Sequence, residues 1–223
     1  MGKNVIVVAP HPDDETLGCG GTLLKHKSKL DVIHWLIVTG ILPENEVSMV
    51  QMKQRDIEIQ QVAEKYGFDT VHSLQLPTTK LDTIPLSVII EKIGCIFKQV
   101  LPEIVYVPFR GDVHTDHRIV FDGVMAATKW FRFNSIKKVL IYETLSETEF
   151  GSNLEAKGFC PNVFIDIADY VDLKVEIMKT YIGEVGEFPF PRSDLAIRSL
   201  AYIRGAAAGC MAAEAFMLLK EIC

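Results

Sequence analysis

The sequence predicts an α/β fold: a Rossmann-like, mostly parallel sheet flanked by helices, followed by a helical C-terminal extension. Three observations point to it. Short Val- and Ile-rich runs alternate with longer helical patterns through the first two-thirds of the chain, as expected of strands buried on both faces and joined by crossover helices. The chain has 223 residues, a length that suits one domain able to bury roughly 70% of its unfolded surface. Apolar residues make up 48% and charged residues 23%, a globular profile that excludes a disordered chain, a collagen or a mini-protein held by staples.

Taken in order, strands are expected at 4–9, 31–39, 70–75, 104–109 and 139–143. Each is dominated by Val and Ile, whose branched side chains suit a pleated, buried surface. Helices are expected between them at 16–27, 47–66, 86–100 and 117–130. The second carries Ile59, Val62, Ala63 and Tyr66, an i, i+3, i+4, i+7 stripe that forms one apolar face. Right-handed crossovers then make the sheet parallel, with helices on both sides. After Gly151 the rhythm changes. Residues 162–167 read as a further strand, 169–182 as a helix, and FPFPRS at 188–193 as a loop set by its prolines. Residues 194–222 read as one long helical tract, with Gly205 and Gly209 among alanines and a kink near Gly205. The whole is one domain over 1–223, with a βα core at 1–150 and an extension at 151–223.

Charge and cysteine usage narrow the function classes. Lys and Arg number 23 against 29 Asp and Glu, a net charge of −6, which argues against a nucleic-acid partner. The five cysteines, Cys19, Cys95, Cys160, Cys210 and Cys223, are odd in number, widely spaced and form no CxxC. They read as free thiols in a reducing compartment rather than a disulfide framework or a thiolate metal site. The N-terminal apolar run is too short for a signal peptide, and no stretch approaches a membrane span. A cytoplasmic location is therefore expected. The small residues of the C-terminal tract suit either a core or an interface between copies, which leaves a homo-oligomer open.

Two clusters carry the chemistry. Pro10-His11-Pro12-Asp13-Asp14-Glu15 follows the first expected strand, and His114-Thr115-Asp116-His117 follows the fourth. Both fall at carboxyl ends of strands, where open α/β sheets place their sites. Taken alone, the DDE run could simply cap the following helix and suit its macrodipole, and the second cluster could be a surface loop. Together they hold three of the chain's six histidines. Two imidazoles plus a carboxylate are the ligand set of a catalytic zinc site with an open position. A second carboxylate beside the metal can take a proton from its water. The adjacent acids Asp13 and Asp14 can divide these tasks, and Asp116 can hold an imidazole through its second nitrogen.

With these residues in view, the chain resembles the LmbE/PIG-L family of zinc-dependent N-acetylglucosaminyl de-N-acetylases. The resemblance rests on VVAPHPDDETLGCGG, on HTDH about 100 residues later, and on PNVFIDIADY, FPFPRS and RGAAAGCMAAEAF. It implies that His11, Asp14 and His117 bind Zn2+ and that Asp13 is the general base. It implies that His114 stabilises the oxyanion and protonates the leaving amine, with Asp116 orienting it, and that Arg55 reaches the sugar. Some relatives have Tyr two positions before the first His of HxDH, where this chain has Asp112. The implied reaction is hydrolysis of the N-acetyl amide of an amino-sugar-containing small molecule or glycan precursor, releasing acetate and a free amine.

Alternatives are a metal-dependent hydrolase of a non-sugar amide or ester, and a silent metal-dependent carbohydrate binder; Asp13 argues against the binder, which needs no base. The run GCGG at 18–21 is not a dinucleotide fingerprint and reads as close packing of a helix on the sheet. Cys19 lacks a base outside the metal cluster and is no nucleophile. His26, His34 and His72 read as structural. Specificity is expected from loops at 41–46, 146–152 and 188–193, with the extension shaping the pocket, and Arg55, Arg110 or Arg192 able to meet one phosphate.

Overall fold

The computed structural model describes residues 2–41, 48–151 and 158–223. Of the expected specificity loops, 42–46 and residue 152 lie outside the described residues. Strands β1 (Asn4–Ala9), β2 (Val32–Gly40), β3 (Thr70–Pro77), β4 (Ile104–Pro108), β5 (Lys138–Tyr142), β6 (Val163–Asp166) and β7 (Ala213–Glu221) form one sheet in the order β3-β2-β1-β4-β5-β7-β6. The four pairings from β3 to β5 are parallel, and β7 pairs antiparallel with both β5 and β6. Helices α1 (Asp14–Ser28), α2 (Met49–Tyr66), α3 (Leu86–Val100), α4 (Thr115–Ala127), α5 (Val171–Met178) and α6 (Asp194–Ala208) cover it.

Alternation along the strands divides the core into two layers. Val5 and Val7 of β1 join Trp35 and Tyr106 beneath α1, α2 and α5, where Leu17, Leu23, Val62, Tyr66 and Met178 meet them. Ile6 and Val8 face the other way, with Leu36, Val38 and Val107, against Ile89, Ile93 and Phe97 of α3 and Val120 and Val124 of α4. Strands buried on both faces have no polar side, which is why their sequences read as unbroken apolar runs.

The GCGG segment packs as expected. A Cβ on Gly18 would lie 2.2 Å from the Tyr142 ring, and one on Gly21 would lie 2.6 Å from Cβ of Ile167. Helix α1 therefore sits closer to the sheet than any residue with a side chain would allow.

The C-terminal tract requires a correction. Residues 194–222 are not one helix: α6 ends at Ala208, and β7 follows as an inner strand of the sheet. Gly209 adopts the left-handed conformation (φ 75°) and caps α6. Gly205 then lets the returning chain pass so closely that a Cβ would lie 2.8 Å from the Ala212 backbone. Ala, Glu, Met, Leu and Lys in β7 are good helix formers, but pairing with partners on both sides overrides that preference. The expected helix at 169–182 is likewise shorter, α5 ending at Met178.

Candidate active site

The chain leaves β1 toward β2 and β3 on one side and returns to β4 on the other. The order reverses between β1 and β4, opening a crevice at their carboxyl ends. The β1–α1 and β4–α4 connections meet there, beside a cavity of about 490 Å3 lined by His11, Asp13, Asp14, Arg55, His114 and Arg192, among others.

Asp13 occupies the N-cap position of α1, yet its side chain makes no capping hydrogen bond. Its φ of 137° is a conformation that side-chain-bearing residues rarely hold. Its N–H donates to Oε2 of Glu15 (3.0 Å), and Oε1 of Glu15 accepts from the hydroxyls of Thr16 and Tyr181 (both 2.6 Å). Burial pushes the Glu15 carboxyl up to about 7, against the pull of those donors. Asp14, the first helical residue, accepts the His11 N–H at Oδ2 (2.8 Å). The acidic pair is thus turned away from capping and into the crevice.

Three imidazoles meet it. The ring of His11 lies 4.4 Å from that of His114 and 5.5 Å from that of His117, centroid to centroid. Nδ1 of His11 and Nε2 of His117 each lie 3.3 Å from Oδ2 of Asp14. Each ring gives its other nitrogen to a second carboxylate: Nε2 of His11 lies 3.1 Å from Asp116, and Nδ1 of His117 lies 2.7 Å from Asp112. Asp112 is fixed in turn by the Thr148 hydroxyl (2.6 Å), and Asp116 by the N–H groups of Thr79 and Leu81. Such outer carboxylates choose the tautomer and aim the free lone pair.

A cation fits this set. His11, Asp14 and His117 each offer a ligand atom within 4.8 Å of the others. Nε2 of His117 is buried and has no hydrogen-bond partner. With Nδ1–H donated to Asp112, a neutral ring presents the Nε2 lone pair toward the Asp14 carboxylate, and a positive charge between them, a metal ion or the ring's own second proton, satisfies both. A second group, His11, His114 and Asp116, is equally compact. In that group the Asp116 carboxylate already holds His11 and two backbone donors, and Nδ1 of His114 accepts the Asp116 N–H (3.1 Å). The surrounding carboxylates favour a positive charge at the first set. Burial opposes protonation of His11, but Asp116 and Asp14 outweigh it and hold the ring at about 9. His117 is raised in the same way, against its burial, by Asp14 and Asp112. Asp14, despite its burial, is held well below the usual carboxylate range by His117 and His11.

The remaining residues take distinct positions. Burial, with Asp14 and Glu184 alongside, pushes Asp13 well above the usual range, while Arg192 pulls it down. Burial, with His11 beside it, lowers His114 to about 4. The ring is neutral at pH 7, and because Nδ1 accepts a backbone N–H, its proton sits on Nε2. Asp116, expected to orient His114, meets Nδ1 of His114 with its backbone N–H, while its carboxylate meets His11. Arg55 lines the cavity and is tied to Glu184, Glu58 and the Pro12 carbonyl.

Sequence reasoning missed the role of Asp112, although a carboxylate five residues before His117 in a strand-end loop was a usable signal. It also missed the link from Arg192 and Glu184 to Asp13, which no local pattern announces. The other residues take ordinary positions. His26 pairs with Asp31 and Tyr106, His34 and His72 share Thr70, and Arg110 pairs with Asp122. The Cys19 thiol is buried and pushed well up by that burial. No helix among the described residues is long and apolar enough to cross a membrane.

Comparison with known proteins gives this site a context. The chain is 28% identical to the diacetylchitobiose deacetylase of Thermococcus kodakarensis, over 99% of its own length and 84% of the relative's. Among solved structures it resembles the N,N'-diacetylchitobiose deacetylase of Pyrococcus horikoshii (TM-score 0.78, 20% identity, 98% and 84% of the two chains). It also resembles the 4-carboxy-2-hydroxymuconate hydratase of Pseudomonas putida (TM-score 0.74, 17% identity, 99% and 98% of the two chains). The fold therefore carries more than one chemistry, and the residues of the site have to decide between them. Residues 6–128, which include both strand-end motifs, match the family described as PIG-L, GlcNAc-PI de-N-acetylase; with more than half of the chain matched, the protein belongs to the PIG-L family.

Proposed function

We propose that the protein is a metal-dependent deacetylase, with zinc as the metal, that hydrolyses the N-acetyl amide of an amino-sugar-containing small molecule. The observation that carries this reading is the convergence of His11, Asp14 and His117 on one point, with Asp13 beside it and not engaged in capping. The deacetylase relatives of T. kodakarensis and P. horikoshii support the amino-sugar substrate class. A cation held by these three residues supplies Lewis acidity, lowering the pKa of a water and polarising an acyl oxygen.

The chain's own groups do the rest. Asp13 takes a proton from the water as its oxygen bonds to the amide carbon. The Nε2–H of neutral His114 donates to the acyl oxygen as that atom gains negative charge, a contribution typically worth ~3–4 kcal/mol. When the C–N bond breaks, the proton held by Asp13 passes to nitrogen, giving acetate and a free amine. Burial moves Asp13 upward, the direction that suits a group that first takes a proton and then returns it. Arg55 lines the cavity, where it would meet sugar hydroxyls, and the 151–223 region contributes Glu184 and Arg192 to the lining.

The test is amine release by the purified, zinc-loaded protein from N-acetylglucosamine, N,N'-diacetylchitobiose and simple acetamides, alongside metal analysis. Acetate and amine formed in equal amounts from the sugars support the reading. Stoichiometric metal with no amide cleaved across that panel overturns it.

A further inference from the structure

Arg192 has no part in the reaction as described above, yet its guanidinium makes a close contact with Asp13. Nη1 donates to Oδ2 of Asp13 at 2.7 Å and to Oε2 of Glu184 at 2.9 Å. The other Glu184 oxygen accepts from Arg55, so a chain of four charged groups runs from α2 across the cavity wall to Asp13. We infer that Arg192 is the positioning residue for Asp13: it occupies Oδ2 and leaves Oδ1 as the oxygen that takes the proton from water.

Three features make Arg192 suited to this. First, Asp13 needs an external brace. Its backbone is held at φ 137° by Glu15, but its carboxylate makes no capping bond to α1, so nothing in its own segment fixes the side-chain torsions. Among the described residues Oδ2 accepts from Arg192, and Oδ1 has no protein donor. Second, Arg192 is itself well anchored. It directly precedes Ser193, which caps α6 by accepting the Ala196 N–H at 3.2 Å. The Ser193 N–H is bonded to the Phe190 carbonyl (3.0 Å), and the guanidinium lies over the Phe190 ring, 5.8 Å from its centroid. Third, Glu184 accepts from the same nitrogen at 2.9 Å, so Nη1 is held by two carboxylates at once. Proton transfer demands a base within hydrogen-bond reach at a defined angle, and a misplacement of about 1 Å can cost ~100-fold in rate.

The inference rests on the assignment of Asp13 as the base, and the experiment separates the two. With N,N'-diacetylchitobiose as the probe, kcat, KM and bound zinc are measured for the wild type, Arg192→Ala, Arg192→Lys, Asp13→Asn and the double variant. Arg192→Ala is expected to keep its zinc and to hold KM within about threefold while kcat falls ~100-fold. Arg192→Lys, with one donor retained, is expected to be more active than Arg192→Ala, and guanidinium in the medium to restore at least part of the lost kcat of Arg192→Ala. Because Arg192 acts through Asp13, the double variant is expected to be no worse than Asp13→Asn alone. A rise in KM without a fall in kcat overturns the inference, as does a further full loss in the double variant, or zinc-loaded Arg192→Ala and Arg192→Lys of wild-type kcat. An unchanged kcat in Asp13→Asn removes the base assignment itself, and the inference with it.

Discussion

Asp13 holds a strained backbone, of a kind that costs of order 1–3 kcal/mol and persists only where its surroundings impose it. Here Glu15, Thr16 and Tyr181 impose it from behind, and the result is a carboxylate facing the same crevice as the metal-binding residues. Replacing Asp13 by Asn keeps the shape and removes the proposed base. Such a variant should bind zinc at wild-type stoichiometry and lose ~100- to 10,000-fold in kcat, read by amine release. Asp112 acts differently, since it touches His117 and no substrate. Asp112→Asn should weaken zinc binding ~10- to 100-fold, measured by competition with a chromophoric chelator. His114 gives a pH signature. Its folded pKa, about 4, lies below the ordinary histidine value of 6.5. As pH falls through 6.5, the unfolded chain takes a proton that the folded ring refuses, so stability falls between pH 6.5 and 4. Urea midpoints across that window should fall less steeply in His114→Gln than in the wild type.

Among the elements, α1 does most to place the site, because its first turn carries Asp14 and Glu15 and its middle is pressed on to the sheet. The contact between Gly18 and Tyr142 leaves no room for a methyl group. Gly18→Ala should lose about 1–3 kcal/mol of stability in urea denaturation, through overpacking. The same helix is tied to the C-terminal region by a buried carboxylate. Glu214 of β7 accepts the N–H groups of Gly21 and Thr22 (2.9 and 2.7 Å) and pairs with Lys174 of α5 at 2.7 Å. Both side chains are about 95% buried. Removing one charge strands the other, so Glu214→Gln should cost ~3–5 kcal/mol by the same measurement. This link explains why the last strand matters to a site formed by the first loop: β7 anchors α1, and α1 carries the acids.

At the scale of the molecule, the cation donors come from two connections about 100 residues apart, brought together by the pairing of β1 with β4. Zinc, if it is the ion held there, would crosslink the two halves of the parallel sheet and stabilise the native state by mass action. At a free zinc concentration 100 times Kd this is worth ~2.7 kcal/mol, so chelation should lower Tm by about 5–10 °C in a scan with and without a chelator.

The parallel half of the sheet was legible in the sequence because its strands are buried on both faces and its crossover helices keep their own apolar stripes, both of which are local patterns. His11, Asp13, Asp14, His114 and His117 were legible because they lie in two short strand-end segments. The hydrogen bonds of those residues were not: Asp116 meets His11 across 105 residues, and Arg192 meets Asp13 across 179. By itself, then, the sequence determined the α/β class, the two motifs and the kind of ion their donors suit, since composition and short-range spacing carry that information. Only the tertiary structure decided that residues 213–221 form a strand, which carboxylate serves which imidazole, and that Arg192 meets Asp13. Each of these depends on which distant backbones and side chains share a low-dielectric interior, and there pairing energies override local preference.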